Sequence, residues 1–135
     1  MPDKYNMKFT DIDKFLSKIQ PILQKKYGKP NTYGTTRIVY SNNHVVIKIP
    51  RDQFGIKANE YEYENFQQSR YKKHELAKCK LTYIGGIPVI IMEKIDDNED
   101  HKLPKWAWKY DGGQVGLDKK GNFKAFDYGY PISDF

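Results

Sequence analysis

The chain is 135 residues long and carries 23 Lys plus Arg against 17 Asp plus Glu, a formal net charge of +6, and this length fits one domain. Leu, Ile, Val and Phe supply about 23% of the residues, above the level at which a chain fails to build a core, which excludes wholesale disorder. A mean hydropathy of -0.82, and a longest apolar run, Ile87 to Met92, that Pro88 interrupts, exclude a polytopic membrane protein.

The opening stretch MPDKYNMKFTDIDKF has no apolar segment of the kind a secretory leader requires. From Asp11 to Tyr27, Ile12, Phe15, Ile19, Ile22 and Leu23 recur at spacings of three and four, which predicts an amphipathic helix with Thr10 or Asp11 as its N-cap. Pro21 predicts a kink there or a split into two short helices. Gly28, Pro30, Asn31 and Gly34 form a turn-rich connector. Arg37 to Tyr40 and Val45 to Ile49 then read as a β-hairpin joined through Ser41-Asn42-Asn43-His44, with Pro50 ending its second strand. Ala58 to Tyr71 reads as a helix dense in Glu and Tyr, followed by strands at Leu81 to Ile84 and Pro88 to Glu93 around Gly85-Gly86. After an acidic turn and Pro104 come Trp106-Ala107-Trp108 and two short strands, Gln114 to Leu117 and Asn122 to Phe126, linked by Asp118-Lys119-Lys120-Gly121.

The charge is unevenly spread. Lys14, Lys18, Lys25, Lys26 and Lys29 make the N-terminal third basic, Arg70, Lys72, Lys73, Lys78 and Lys80 form a second basic stretch, and Asp96 to Asp100 is acidic. Such runs are ordinarily solvated surface. Lys72 and Lys73 beside Tyr71 are the residues through which a polyanion would be held, although no nucleic-acid motif accompanies them. Trp106 and Trp108 read as core packing or as anchors for a protein partner. Cys79 has no partner for an intrachain disulfide, which gives a reducing, cytoplasmic setting as the expectation. His44, His74 and His101 have no spacing that suggests a shared metal.

Taken in order, a turn at Gly34-Thr35-Thr36, the strand Arg37 to Tyr40, Val46-Ile47-Lys48, a Glu-rich helix, a strand pair and Phe126-Asp127-Tyr128-Gly129 resemble the protein-kinase-like fold, especially the small kinase-like proteins of bacteriophages. The resemblance runs from about Tyr33 to Tyr130, residues 33–130, behind an N-terminal helical segment at 1–29. It implies an α+β fold: a small antiparallel β-sheet with packed helices, similar to a kinase N-lobe, plus a minimal remnant of the catalytic and metal-binding hairpin. It further implies that Lys48 meets nucleotide phosphates and pairs with Glu62, with Glu60 and Glu64 as competitors decided by helix rotation. Met92 would stand near the gatekeeper, and Glu93 would open the hinge segment. Asp127, with Gln114, would meet Mg2+ beside ATP.

Other positions depart from that pattern. A catalytic loop of the form His-Arg-Asp-Leu-x-x-x-Asn is matched best by Lys109 to Gly116, where Gln114 stands for Asn and Lys109 falls at the Asp position. Asp111 supplies a carboxylate there only if the loop is shortened by two residues. About 15 residues separate Lys94 from Lys109, where the family places long helices. The resemblance therefore implies a truncated, degenerate member that binds a host macromolecule in the host cytoplasm and retains nucleotide at most as a ligand. The alternatives are a minimal ATP- and Mg2+-dependent protein kinase and a basic nucleic-acid-binding inhibitor of host defence.

Overall fold

The computed structural model describes residues 9–68, 73–97, 102–110 and 114–129. It is an α+β structure in which a helix α1 (Phe9–Tyr27) precedes strands β1 (Thr32–Tyr33), β2 (Arg37–Ser41) and β3 (Val45–Pro50). A second helix, α2 (Gln53–Gln67), crosses from β3 to β4 (Cys79–Ile84) and β5 (Ile87–Glu93). These strands form one antiparallel sheet in the order β1-β2-β3-β5-β4, and a separate hairpin follows, β6 (Val115–Leu117) with β7 (Phe123–Ala125). Short 3-10 turns lie at Lys73–Glu75 and Lys105–Lys109.

Alternation along the strands divides the sheet into two faces, because successive side chains point to opposite sides. Ile38, Tyr40, Ile47, Ile49, Ile87 and Val89 share one buried cluster with Ile12 and Phe15 of α1. Each such side chain taken fully out of water contributes about 1.5–3 kcal/mol. The opposite face carries Ile90 and Met92 into a cluster completed by Tyr110, Val115, Ala125 and Tyr128. The helix α1 therefore covers one face of the sheet, and the β6-β7 hairpin meets the other.

Several local readings need correction. Helix α1 already includes Thr10 and Asp11, so neither is its N-cap, and it runs unbroken through Pro21. Pro21 sits on the exposed side with Ser17, so water can satisfy the Ser17 carbonyl that loses its intrahelical donor. Ile22 falls off the apolar stripe and is 61% exposed. The connector after Gly28 contains β1, paired with β2 through Thr32 opposite Val39.

Helix α2 begins five residues before Ala58. Asp52 caps it, accepting from the Gly55 N–H at 2.9 Å, and such a cap contributes about 1 kcal/mol. Gly55 is required by close approach, since a Cβ there would lie 2.1 Å from the Thr36 carbonyl oxygen. Strand β5 tolerates Pro88 because pairing with β3 ends at Ile90, leaving Pro88 opposite only Tyr83 of β4. Gly85 and Gly86, with φ of 58° and 84°, make the tight turn between β4 and β5 that requires two left-handed residues.

Candidate functional site

The β6-β7 hairpin is sewn to the main sheet on both sides. Asp96 and Leu117 exchange backbone hydrogen bonds at 2.8 Å, and the Ala77 N–H donates to the Ala125 carbonyl at 2.8 Å. Gly116 permits this approach, for a Cβ there would meet the Asp96 carbonyl oxygen at 2.1 Å. Beyond β7 the Tyr128 hydroxyl donates to the Ala77 carbonyl at 2.6 Å. Tyr128 is fully buried, and burial pushes its phenol pKa upward, so it stays a neutral donor. Asp127 is thereby fixed against the sheet rather than left on a loose segment.

Between hairpin and sheet lies a crevice of about 710 Å³, within the size range of small-molecule sites. The turn Gly34 to Thr36, Val39 and Val46 line it from the sheet, and Met92 to Ile95 line it along the strand end. Gln114, Phe126 and Asp127 close it from the hairpin, and Arg37 and Lys48 reach it from β2 and β3. The turn is tied down by Arg51, whose guanidinium donates to the Gly34 carbonyl at 2.6 Å and whose N–H donates to the Thr36 carbonyl at 2.8 Å.

Lys48, Glu62 and Asp127 gather at this crevice around a fourth residue, Arg37. The Lys48 ammonium donates to Glu62 Oε1 at 2.9 Å and to the Phe126 carbonyl at 2.5 Å. Arg37 forks onto both Glu62 oxygens, at 2.8 and 3.3 Å, and donates to Asp127 Oδ1 at 2.9 Å. The Tyr128 N–H completes the set by donating to Glu62 Oε2 at 3.0 Å. Glu62 is fully buried. Burial alone would raise its pKa, but Arg37 first and Lys48 second pull it down to about 2. Burial also lowers the Lys48 pKa, opposed by Glu62. For Arg37 burial acts downward too, yet Glu62 and Asp127 leave its pKa raised, so it is cationic throughout the accessible pH range.

The rotation of α2 separates its three carboxylates. Glu62 is buried against Arg37 and Lys48, Glu60 accepts from the Tyr83 hydroxyl at 2.9 Å, and Glu64 is exposed beside Gln68. The inner stripe of α2 is largely polar beyond Ile56. Asn59 donates to the carbonyls of Lys48 and Pro88 at 3.1 and 2.9 Å and accepts from Arg37 at 3.1 Å, and Asn65 donates to the Tyr128 carbonyl at 2.9 Å. Arg37, Asn59 and Asn65 were not singled out by motif. Strand parity was the available signal for Arg37, because it shares the Val39 and Ser41 face of β2, the face that lines the crevice.

Met92 is buried and lines the crevice. The Glu93 carboxylate accepts from the Lys78 N–H at 2.6 Å. Along the strand end, the N–H groups of Glu93, Lys94 and Asp96 donate to Lys78, His44 and Leu117, while among the described residues no backbone carbonyl accepts from Ile95. Asp111 and Lys72 lie outside the described residues, as does the Lys73 side chain. Trp106 packs against the core, edge-to-face with Tyr110 at 6.0 Å, whereas Trp108 is 69% exposed.

The residues do not fit a divalent cation well. The Asp127 carboxylate is already paired with the guanidinium of Arg37, Gln114 is a neutral amide, and the described residues contain no group of three or more acidic, His or Cys side chains placed to hold a metal ion. No family model, curated protein or solved structure matches the chain.

Proposed function

We propose that the chain is a degenerate kinase-like domain, of the small type carried by bacteriophages, that acts by binding a host macromolecule and keeps its crevice as a nucleotide site without efficient phosphoryl transfer. The observation that carries this reading is the meeting of Lys48, Glu62 and Asp127 at one crevice, with Asp127 held by Arg37. A lysine on the third strand, paired to a carboxylate of the following helix and set beside an Asp-Tyr-Gly segment, is the arrangement the resemblance calls for. The antiparallel sheet, with its helix between the third and fourth strands, supports the same reading. Val39, Val46 and Met92 offer apolar walls for a flat base. Loss of transfer follows from the Arg37–Asp127 pair and from Gln114 at the position where the pattern has a metal-binding Asn.

The test is a pair of measurements on the purified chain. Nucleotide at millimolar concentration should raise the apparent melting temperature, since a ligand that binds the folded state stabilises it. No phosphate should pass from labelled ATP with Mg2+ to the protein or to a generic substrate. Transfer that Asp127→Ala abolishes would overturn the degenerate reading in favour of a minimal kinase.

A further inference from the structure

The charges at the crevice form a closed set in which Arg37 and Lys48 are balanced by Glu62 and Asp127. The guanidinium is locked by four hydrogen bonds: Nη1 donates to Asn59 and Glu62, and Nη2 donates to Glu62 and Asp127. A divalent cation on Asp127 would have to sit beside this fixed positive charge or displace it. Displacement would strip Asp127 from a group whose place is also set by buried Glu62 and Asn59.

The same geometry leaves hydrogen-bonding capacity for an anion. A guanidinium carries five N–H donors and an ammonium three. Arg37 spends its four Nη donors, and Lys48 spends two of its three on Glu62 and Phe126. Among the described residues this leaves the Arg37 Nε–H and one Lys48 N–H, on two side chains that both line the crevice. Guanidinium and ammonium donors are the protein groups best suited to phosphate oxygens.

Resting on the kinase-like reading, we propose that the crevice binds the phosphates of a nucleotide without a divalent cation, with Arg37 serving as the built-in counter-charge at Asp127. Arg37 and Lys48 bridge to the phosphate oxygens, and the apolar walls of Val39, Val46 and Met92 take the base. The positive charge that a metal would bring is already part of the protein and is held by Glu62.

The probe is ATP, titrated by calorimetry into the full chain in excess EDTA and again with Mg2+. The two dissociation constants should agree within about threefold. Asp127→Ala removes a negative charge and releases an Arg37 donor, so it should tighten ATP in EDTA, by about threefold or more. With Mg2+ present the same substitution should tighten ATP likewise, whereas loss of a metal ligand would weaken ATP there and leave binding in EDTA untouched. Arg37→Gln, checked for native circular dichroism, should weaken ATP in EDTA at least tenfold. Should Arg37→Gln fail to fold, the sign of the Asp127→Ala effect with Mg2+ present still decides, because Asp127 is partly exposed. Tenfold or greater dependence of the native chain on Mg2+, or weakening by Asp127→Ala with Mg2+ present, would overturn the cation-free proposal and leave a metal-dependent nucleotide site. No binding of ATP in either buffer would overturn the proposal together with the nucleotide part of the reading beneath it.

Discussion

Replacing Glu62 by Gln isolates the electrostatic centre of the molecule. The carboxylate is fully buried and accepts from Arg37, Lys48 and the Tyr128 N–H. The substitution keeps the shape, but it removes the charge and turns one acceptor into an NH2 group that must face a donor. Two buried cations are then left under-compensated, a change that costs about 3–5 kcal/mol in comparable settings. For a domain of this size that corresponds to a fall in melting temperature of roughly 10–20 °C. Glu64→Gln on the exposed side of the same helix should stay within about 0.5 kcal/mol.

The pH dependence provides an independent estimate. Glu62 has its pKa lowered from 4.5 to about 2 in the folded chain, so the folded state binds the proton less readily than the unfolded state. The stabilisation is fully present above pH 4.5 and is lost as pH falls from 4.5 toward 2. A displacement of that size corresponds to about 3 kcal/mol, in line with the estimate from the buried pair. Urea unfolding of the native chain and Glu62→Gln, followed by circular dichroism at pH 7, 5, 4 and 3, should show a gap that is constant above about pH 5 and narrows below it. A gap under about 1 kcal/mol at pH 7, or one that does not narrow in acid, would refute the assignment of Glu62 as the buried counter-charge.

Gly55→Ala should destabilise by about 1–3 kcal/mol in the same urea assay, despite the better helix propensity of Ala, because its Cβ would overlap the Thr36 carbonyl and touch Pro50. Cys79 is buried and its thiol is pushed up to about 11, chiefly by burial. A disulfide reagent at pH 8 should therefore label it slowly in buffer and quickly in urea, since the thiolate is the reactive form. Trp106→Ala should cost about 2 kcal/mol through lost packing and its ring contact with Tyr110. Trp108→Ala should move the melting temperature by less than about 2 °C, as expected for an exposed side chain; equal shifts for the two would contradict their placement.

Strands and the amphipathic helix were legible because their signals are local. The spacing of Ile12, Phe15, Ile19 and Leu23 matches the stripe that α1 buries, and the alternation in Val45 to Ile49 matches the two faces of β3. Where the reading fell short, tertiary contacts overrode local preference. Helix α2 starts at Gln53 rather than Ala58, with Asp52 as its cap. Gly55 is dictated by the passage of the Thr36 carbonyl across the first turn, a contact that adjacent residues do not encode. Which of three carboxylates pairs with Lys48 depends on the rotation of α2, and that too is set by tertiary packing. Arg37 was the largest omission. A charged residue opening a strand ordinarily faces water, and its burial depends on Glu62 and Asp127, which stand 25 and 90 residues away.

The contrast between the two faces of the sheet bears on why so many polar groups sit beside the crevice. Against α1 the packing is apolar and of the kind that stabilises a small domain. Against α2 the buried positions include, beside Gly55 and Ile56, the polar Asn59, Glu60, Glu62 and Asn65, although apolar residues of similar volume in place of a buried ion cluster are often neutral or stabilising by about 1–4 kcal/mol. Stability therefore does not account for their presence. Three of them fix different parts of the molecule: Asn59 ties α2 to β3 and β5, Asn65 ties it to the chain after β7, and Glu62 holds Arg37 and Lys48. The result is a pair of cations whose positions are set before any ligand arrives, so less ordering is required on binding. The hydrophobic cluster under α1 supplies the stability that lets the other face carry charge, and the crevice is where that charge meets solvent.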